Sequence, residues 1–469
     1  MNLALALRLH SHPSVAGTSS LMHGLEGSWQ AVAFSGAGGK TTALFQLARQ
    51  LPPPIITCAT THLQVDQMKL ADSNCQVSTP EQIPPLDKGL ADVTLFTGPL
   101  EQDRTEGLSG AAMTRLGEAC ASRNLPLLIE ADGSRRKPLK APGDLEPVIP
   151  SFVRQVVVVA GLAGLGKPLT GKIVHRPEIF SRLSGLDQGE IITLDALARL
   201  LAHPAGGQKN IPFAARRTLL LNQADSPGLQ AQGMKLALKL LPVFHSVIVA
   251  SLRTSRIHAV CEPVAGILLA AGGSARYGRP KQLLLWNGKP FVRIVAETAL
   301  SAGLTRLVVV TGAHAELVEN ALAGLPLLLV RNQDWQSGQS SSIQAGLRLL
   351  LQPSKEGESF QLPDRQGEVG AALFLLADQP QITSAIVRAL VEHHSRTLAP
   401  IIAPQVAGQR ANPVLFDRVT FPALLALSGD VGGREIFKRF PVEGLPWNDS
   451  SLLADVDTPQ DYRKLVNGK

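Results

Sequence analysis

The feature that most constrains this chain is its repeated alternation of short, β-rich apolar runs with helix-patterned segments. Runs at Val156 to Ala160, Thr218 to Leu221, Val247 to Val249, Ile267 to Leu269, Leu307 to Val310 and Ala372 to Leu376 are apolar at nearly every position. Strands apolar on both faces need cover on both faces, and helices that return the chain between them make the sheet parallel. The predicted fold class is α/β and doubly wound. At 469 residues the chain is long enough for more than one such sheet. The pattern lapses at Ser251 to Pro263, rich in Arg, Thr and Ser, and a fresh strand and loop follow, which predicts two domains, 1–255 and 264–469. The Pro-, Gly- and charge-rich stretch Gln352 to Glu368 reads as an exposed insertion in the second.

The formal charge of +7 does not imply nucleic acid, because Lys and Arg are scattered, Arg135-Arg136-Lys137 is the one dense cluster, and aromatics are 4%. Small anionic ligands such as phosphates suit this balance, as does a mildly basic solvated surface. Cys58, Cys75, Cys120 and Cys261 lack CxxC spacing, so neither a zinc site nor a disulfide framework is expected, and reduced thiols point to a cytoplasmic protein. Met1 to Leu7 is too short for a signal sequence, and no run reaches the ~18 apolar residues of a membrane span.

In the second domain, the strand Ile267 to Ala270 feeds Ala271-Gly272-Gly273-Ser274-Ala275-Arg276-Tyr277-Gly278, whose small residues let backbone N–H groups approach an anion. Arg276 and Lys281 add positive charge where an α-phosphorus and departing pyrophosphate need compensation. A glycine-rich loop alone is also an ordinary turn; Pro280-Lys281-Gln282 makes this one specific. The whole run, Leu269 to Leu284, resembles the opening motif of the molybdenum cofactor cytidylyltransferases, with Tyr277 in place of Met. The resemblance implies a Rossmann-like nucleotidyltransferase in which Arg276, Lys281 and Asp378 are catalytic. Leu269, Ala270, Ala271, Gly272, Gly273, Ser274 and Ser341 would then bind the nucleotide. Phe374 to Pro380 is a strand ending in Asp378-Gln379-Pro380, and Asp455 to Tyr462 resembles the family's DxDTPxDY segment. By that resemblance Asp378 and Asp457 hold Mg2+, whose preference for oxygen ligands they suit. Capping of the helix after Pro459 is the alternative for Asp455, Asp457 and Thr458. The Gln339-Ser340-Ser341-Ser342 run meets either an anion or only its own helix start. Asn412 and Arg434 look like the acceptor side, Arg434 as a phosphate clamp or as the partner of Asp430.

An acceptor phosphate is largely dianionic at pH 7 and needs no protein base, so a missing Ser-His or Cys-His pair is expected. The resemblance implies CMP transfer from CTP to the phosphate of a molybdopterin-type acceptor. Ala271 stands where the guanylyl branch carries Gly, which favours CTP. GTP, another phosphorylated acceptor, and an inactive cofactor-binding chaperone are the alternatives.

In the first domain, the strand Ala31 to Phe34 enters Ser35-Gly36-Ala37-Gly38-Gly39-Lys40-Thr41-Thr42 and a helix. Phe34 stands where the longer phosphate loop has Gly, so the likeness is to the GxxGKTT form of Mur-ligase-type ATPases. Gly36, Gly38, Gly39, Lys40, Thr41 and Thr42 are the expected contacts of a second NTP, with Thr41 on Mg2+. Leu127 to Ser134 reads as a hydrophobic strand ending in the acids Glu130 and Asp132, placed for metal or water. Asn222-Gln223-Ala224-Asp225 is similar to the guanine-reading NKxD of GTPases, or is a strand-end turn. His175 is either catalytic or a hydrogen-bonded structural histidine, and Thr60-Thr61-His62 is equally open. With Gly164 to Pro168 and His175 to Glu178, these motifs resemble the selenium-dependent hydroxylase accessory proteins. They imply a P-loop NTPase-like helper whose partner is a molybdenum hydroxylase or its maturation chaperone.

Overall fold

The structure, a computed structural model, describes residues 1–9, 31–87, 89–274, 277–352 and 369–466. The chain divides into two compact units, one ending at Cys261 and the other beginning at Glu262. In the first, nine strands lie side by side in the order Arg256–Cys261, Ser246–Ser251, Arg216–Asn222, Gln155–Gly161, Ala31–Gly36, Leu127–Glu130, Ile55–Ala59, Val93–Thr97 and Ser73–Gln76. All pair parallel except Arg256–Cys261, which runs antiparallel to its neighbour. Every residue of Gln155–Gly161 is buried, as its unbroken apolar run requires. The helices covering the sheet are amphipathic. In Leu194–Ala202, Thr193 caps the start by accepting from the Ala196 N–H at 3.2 Å, and Leu197, Leu200 and Leu201 face the core.

The division falls within the stretch 251–263 where the pattern lapses, and that stretch holds a short 3-10 turn at Leu252–Thr254 and then the edge strand Arg256–Cys261. Only its second half, Ala259 to Cys261, is buried, so its apolar signal is half the usual length.

In the second unit the order is Leu328–Arg331, Arg306–Thr311, Val264–Ala270, Ala371–Leu376, Val414–Asp417, Ile401–Val406 and Gln409–Arg410, with Val442–Pro446 also beside Ile401–Val406. The first four are mutually parallel, but Val414–Asp417 is antiparallel to both neighbours, so this sheet is mixed rather than parallel. The reversal starts at Ala407-Gly408, both at positive φ (47° and 82°), the two-residue turn that matches strand twist in a hairpin. Val264–Ala270 and Ala371–Leu376 pair in register, Leu269 opposite Leu376, so the loops that follow them open at the same edge of the sheet. Among the described residues no helix is long and apolar enough to cross a membrane.

Candidate functional site

At that shared edge the second unit gathers its charged residues. Ala270 and Ala271 are buried, and the loop beyond is fastened by side chains. The Lys281 N–H donates to Ser274 Oγ at 3.0 Å, and the buried Gln282 amide donates to the Gly272 carbonyl at 3.1 Å. Gln282 is thus the loop's tie, a role that its place in the motif did not signal. Ser274 itself sits at φ 51°. Arg276 lies outside the described residues.

Lys281 Nζ meets Asp457 Oδ1 at 2.7 Å and Asp378 Oδ2 at 3.6 Å. Burial raises the Asp378 carboxyl above its ordinary range, against the pull of Lys281 and with a further push from Asp455 and Asp457. Two carboxylates already converging on one cation, one of them short of charge compensation, fit the oxygen-only demand of Mg2+. The capping alternative for Asp455 and Asp457 is met by other residues. Thr458 and Asp461 bond each other reciprocally at the start of Pro459–Val466, while Asp455 Oδ1 accepts from Gln379 Nε2 at 2.8 Å.

Beside this cluster opens a cavity of about 320 Å3 lined by Leu269, Gln339, Asn412 and Arg434 and by the rings of Phe374, Phe416 and Phe437. Phe374 and Phe416 pack edge to face, with centroids 5.3 Å apart. Asn412 and Arg434, expected on the acceptor side, are therefore brought together. The Asp430–Arg434 pair weighed against that role is not formed: Asp430 Oδ1 instead accepts the Gln339 N–H at 3.3 Å, and no carboxylate among the described residues pairs with Arg434. Ser341 is spent locally, donating to the Gly338 carbonyl at 2.8 Å and accepting from Asn332 at 2.8 Å. The three phenylalanines were not anticipated, and Gln339 was singled out only with the serines of its own run, because these residues converge from separated segments.

In the first unit the loop after Ala31–Gly36 closes on the helix Lys40–Ala48. A Cβ at Gly38 would lie 2.5 Å from Gly161 N, and Gly39 holds φ 129° with Asn222 against it. Asn222 Nδ2 donates to the Gly38 carbonyl at 2.7 Å and its oxygen accepts the Leu252 N–H at 2.9 Å, so it braces the loop. Gly36 N–H donates to Asp132 at 3.1 Å. Lys40, almost wholly buried, folds back to the Gly36 carbonyl at 2.8 Å and to Asp132 at 3.3 Å. Thr41 Oγ1 donates to Glu130 Oε2 at 2.8 Å, while Thr42 is exposed. Burial raises the Glu130 carboxyl, with Lys40 and Thr41 opposing. Asp225 stands apart, with Arg253 at 3.8 Å. The acid pair and Thr41 oxygens fit a hard divalent cation.

Behind this loop Glu146 accepts from Lys140 and Arg176, each at 2.6 Å. Burial pushes its carboxyl up, but the two hydrogen bonds together outweigh it and hold it at about 2. A carboxyl held below its unfolded value stabilises above that value and loses the effect as pH falls through the folded one. With solvent screening, Glu146→Gln is expected to cost about 1–2 kcal/mol at pH 7. The difference from wild type should narrow between pH 5 and 2, as urea unfolding at each pH would show.

Comparison with known proteins follows the same division. Residues 266–444 match the family described as MobA-like NTP transferase domain, and residues 32–178 match YqeC protein. Nicotine blue oxidoreductase of Paenarthrobacter nicotinovorans is 34% identical over 214 residues, 43% of this chain and 96% of that protein. The chain belongs to the MobA-like NTP transferases. It carries in addition a YqeC domain: the uncharacterized protein YqeC of Escherichia coli K12 is 31% identical over 200 residues, 40% of this chain and 73% of that one. Purine catabolism protein PucB of Bacillus subtilis is 30% identical over 209 residues, 42% of this chain and 93% of its own length. The transferase match takes in the Ala271 to Ser274 loop, Lys281, Asp378, Asn412 and Arg434, while Asp455 and Asp457 fall beyond it.

Proposed function

We propose that the transferase domain moves CMP from CTP to the phosphate of a molybdopterin-type acceptor, and that the YqeC domain binds a second NTP while assisting maturation of a molybdenum hydroxylase. The observation that carries the first part is the convergence of Lys281, Asp378 and Asp457 at the sheet edge, beside a cavity presenting Asn412 and Arg434 between aromatic walls. The aromatic rings suit a flat heterocycle and Arg434 suits its phosphate.

In this reading an acceptor phosphate oxygen bonds to the α-phosphorus of CTP as the bond to the β-phosphate bridge breaks and pyrophosphate leaves. The acceptor enters as a dianion, so no side chain has to remove a proton. The loop from Ala271 to Ser274 receives the triphosphate, Lys281 and Arg276 offset the charge that builds on it, and Arg434 holds the acceptor in line. Mg2+, when bound by Asp378 and Asp457, would add electrostatic compensation on the phosphate oxygens. Lys281, which lies against both carboxylates, is the group that turns toward the nucleotide.

The base preference rests on Ala271, buried against Gly312, where a Cβ would come within 2.8 Å of the Ala271 methyl. One methyl is worth roughly tenfold in a discriminating pocket. Ala271→Gly is expected to raise GTP turnover relative to CTP by about that factor. Turnover of the wild type with CTP, GTP and ATP tests the preference, and use of GTP equal to CTP would sink it.

In the YqeC domain Lys40 is assigned to the β- and γ-phosphates, Thr41 with Glu130 and Asp132 to the metal, Asn222 to bracing the loop and Asp225 to the base. Absence of pyrophosphate release with any NTP would favour the other reading, a chaperone that only holds the cofactor.

A further inference from the structure

The cavity beside Asp378 carries more hydrogen-bonding capacity than phosphate chemistry uses. Its polar side chains are Gln339, Asn412, Arg434 and Asp455. Asp455 accepts from Gln379 at 2.8 Å and stands next but one to Asp457, beside the carboxylates assigned to Mg2+. Arg434 is assigned to the phosphate. That leaves two carboxamides, Gln339 and Asn412, and neither side chain has a hydrogen-bond partner among the described residues. The wall around them is apolar, with the rings of Phe374, Phe416 and Phe437. In such surroundings a polar bond made to a ligand competes less with water than it would on an open surface.

Local structure places both amides on this wall. Asn412, Val414 and Phe416 all line the cavity, so Asn412 continues the alternation of the strand Val414–Asp417 onto the same face. Gln339 opens the helix Gln339–Leu351, and the loop 429–433 is pinned to that helix start. Ser340 Oγ donates to the Gly429 carbonyl at 2.6 Å, and Asp430 accepts the Gln339 N–H at 3.3 Å. Two glycines let the loop close there. A Cβ at Gly432 would lie 2.5 Å from Gln339 Oε1, and one at Gly433 would lie 2.9 Å from the Phe416 ring. The loop thus stays bare where it passes one amide and one ring.

A carboxamide presents an acceptor and a donor side by side, so two of them complement an edge that carries both. We propose that Gln339 and Asn412 are the specificity residues for the acceptor's ring: they bind the lactam edge, N–H beside C=O, of a fused heterocycle seated among the phenylalanines while Arg434 holds its phosphate. This rests on the reading of the cavity as the acceptor's seat. It supplies what tells one flat ring from another, since stacking on aromatic side chains tolerates any of them.

The test is equilibrium dialysis of the full-length protein against three probes: pterin, which carries such an edge, quinoxaline, a fused ring with neither N–H nor C=O, and CTP. Wild type is expected to bind pterin more tightly than quinoxaline. Gln339→Leu keeps the wall apolar and removes the amide, so pterin should weaken about tenfold while quinoxaline and CTP stay within about twofold. Asn412→Leu should act in the same direction. The Gln339 side chain is exposed and its backbone bond to Asp430 survives the change, so the Gln339→Leu fold is kept. Gly432→Ala retains the amide but displaces it, and because the atom met is the end of a flexible side chain the fold tolerates it; pterin should weaken there too. Pterin bound equally by wild type, Gln339→Leu and Asn412→Leu would overturn the proposal and leave the acceptor cavity standing. Loss of CTP rather than pterin in Gln339→Leu would move that residue to the nucleotide base and overturn it as well. No binding of pterin by the wild type would remove the acceptor reading itself, and the proposal with it.

Discussion

Replacing Asp378 with alanine is expected to lower pyrophosphate release by on the order of 10³-fold while leaving the fold in place. Asp378 lies two residues beyond the central strand Ala371–Leu376 and is half-buried at the sheet edge, so the strand's own apolar packing is left in place. What is lost is the second of two carboxylates facing the same cation, leaving Lys281 held by Asp457 alone. Asp378→Asn separates shape from charge: it keeps the volume and should fall nearly as far. Steady-state pyrophosphate assays beside thermal unfolding check both variants. A variant keeping more than a tenth of wild-type activity would mean that Asp378 holds no part of the reacting centre.

The largest effect on stability is expected at Lys140. Its removal leaves Asp132 and Glu146 buried or half-buried without the ammonium they share, and breaking a buried pair in this way costs about 3–5 kcal/mol. Lys140→Met fills the space without restoring the charge and should recover little. The first unit's urea transition, followed by circular dichroism, should move to clearly lower denaturant in Lys140→Ala and in Lys140→Met. Loss of less than about 1 kcal/mol would show that the two acids find other partners.

Local placement of the candidate residues was legible in the sequence, and long-range assembly was not. The Leu269 to Ser274 loop, Lys281, Asp378 and the Gly36 to Thr41 loop are each written in one contiguous stretch, because a strand end and the turn after it suffice to place them. The cavity beside Asp378 is different in kind. Phe374, Phe416, Phe437 and Gln339 come from four segments, and only the pairing of Val414–Asp417 against Ala371–Leu376 brings two of those rings together. That antiparallel pairing was missed because an apolar run does not state its partner's direction. The edge strand Arg256–Cys261 was missed because solvent on one side dilutes its pattern. Capping competes with metal binding for any acid near a helix start, and only the reciprocal Thr458–Asp461 bonds show which residues do the capping. Lys40 was expected to face a phosphate, yet in the structure it turns inward to Gly36 and Asp132, a local satisfaction that composition does not predict.

Joining of a nucleoside monophosphate to a phosphorylated acceptor by the transferase domain is tested most directly by supplying the full-length protein with CTP, Mg2+ and molybdopterin and measuring pyrophosphate together with the mass of the pterin product. One pyrophosphate is expected for each molybdopterin cytosine dinucleotide formed, and neither when the acceptor is omitted. Pyrophosphate released without the acceptor, or no dinucleotide with CTP, GTP or ATP, would contradict it.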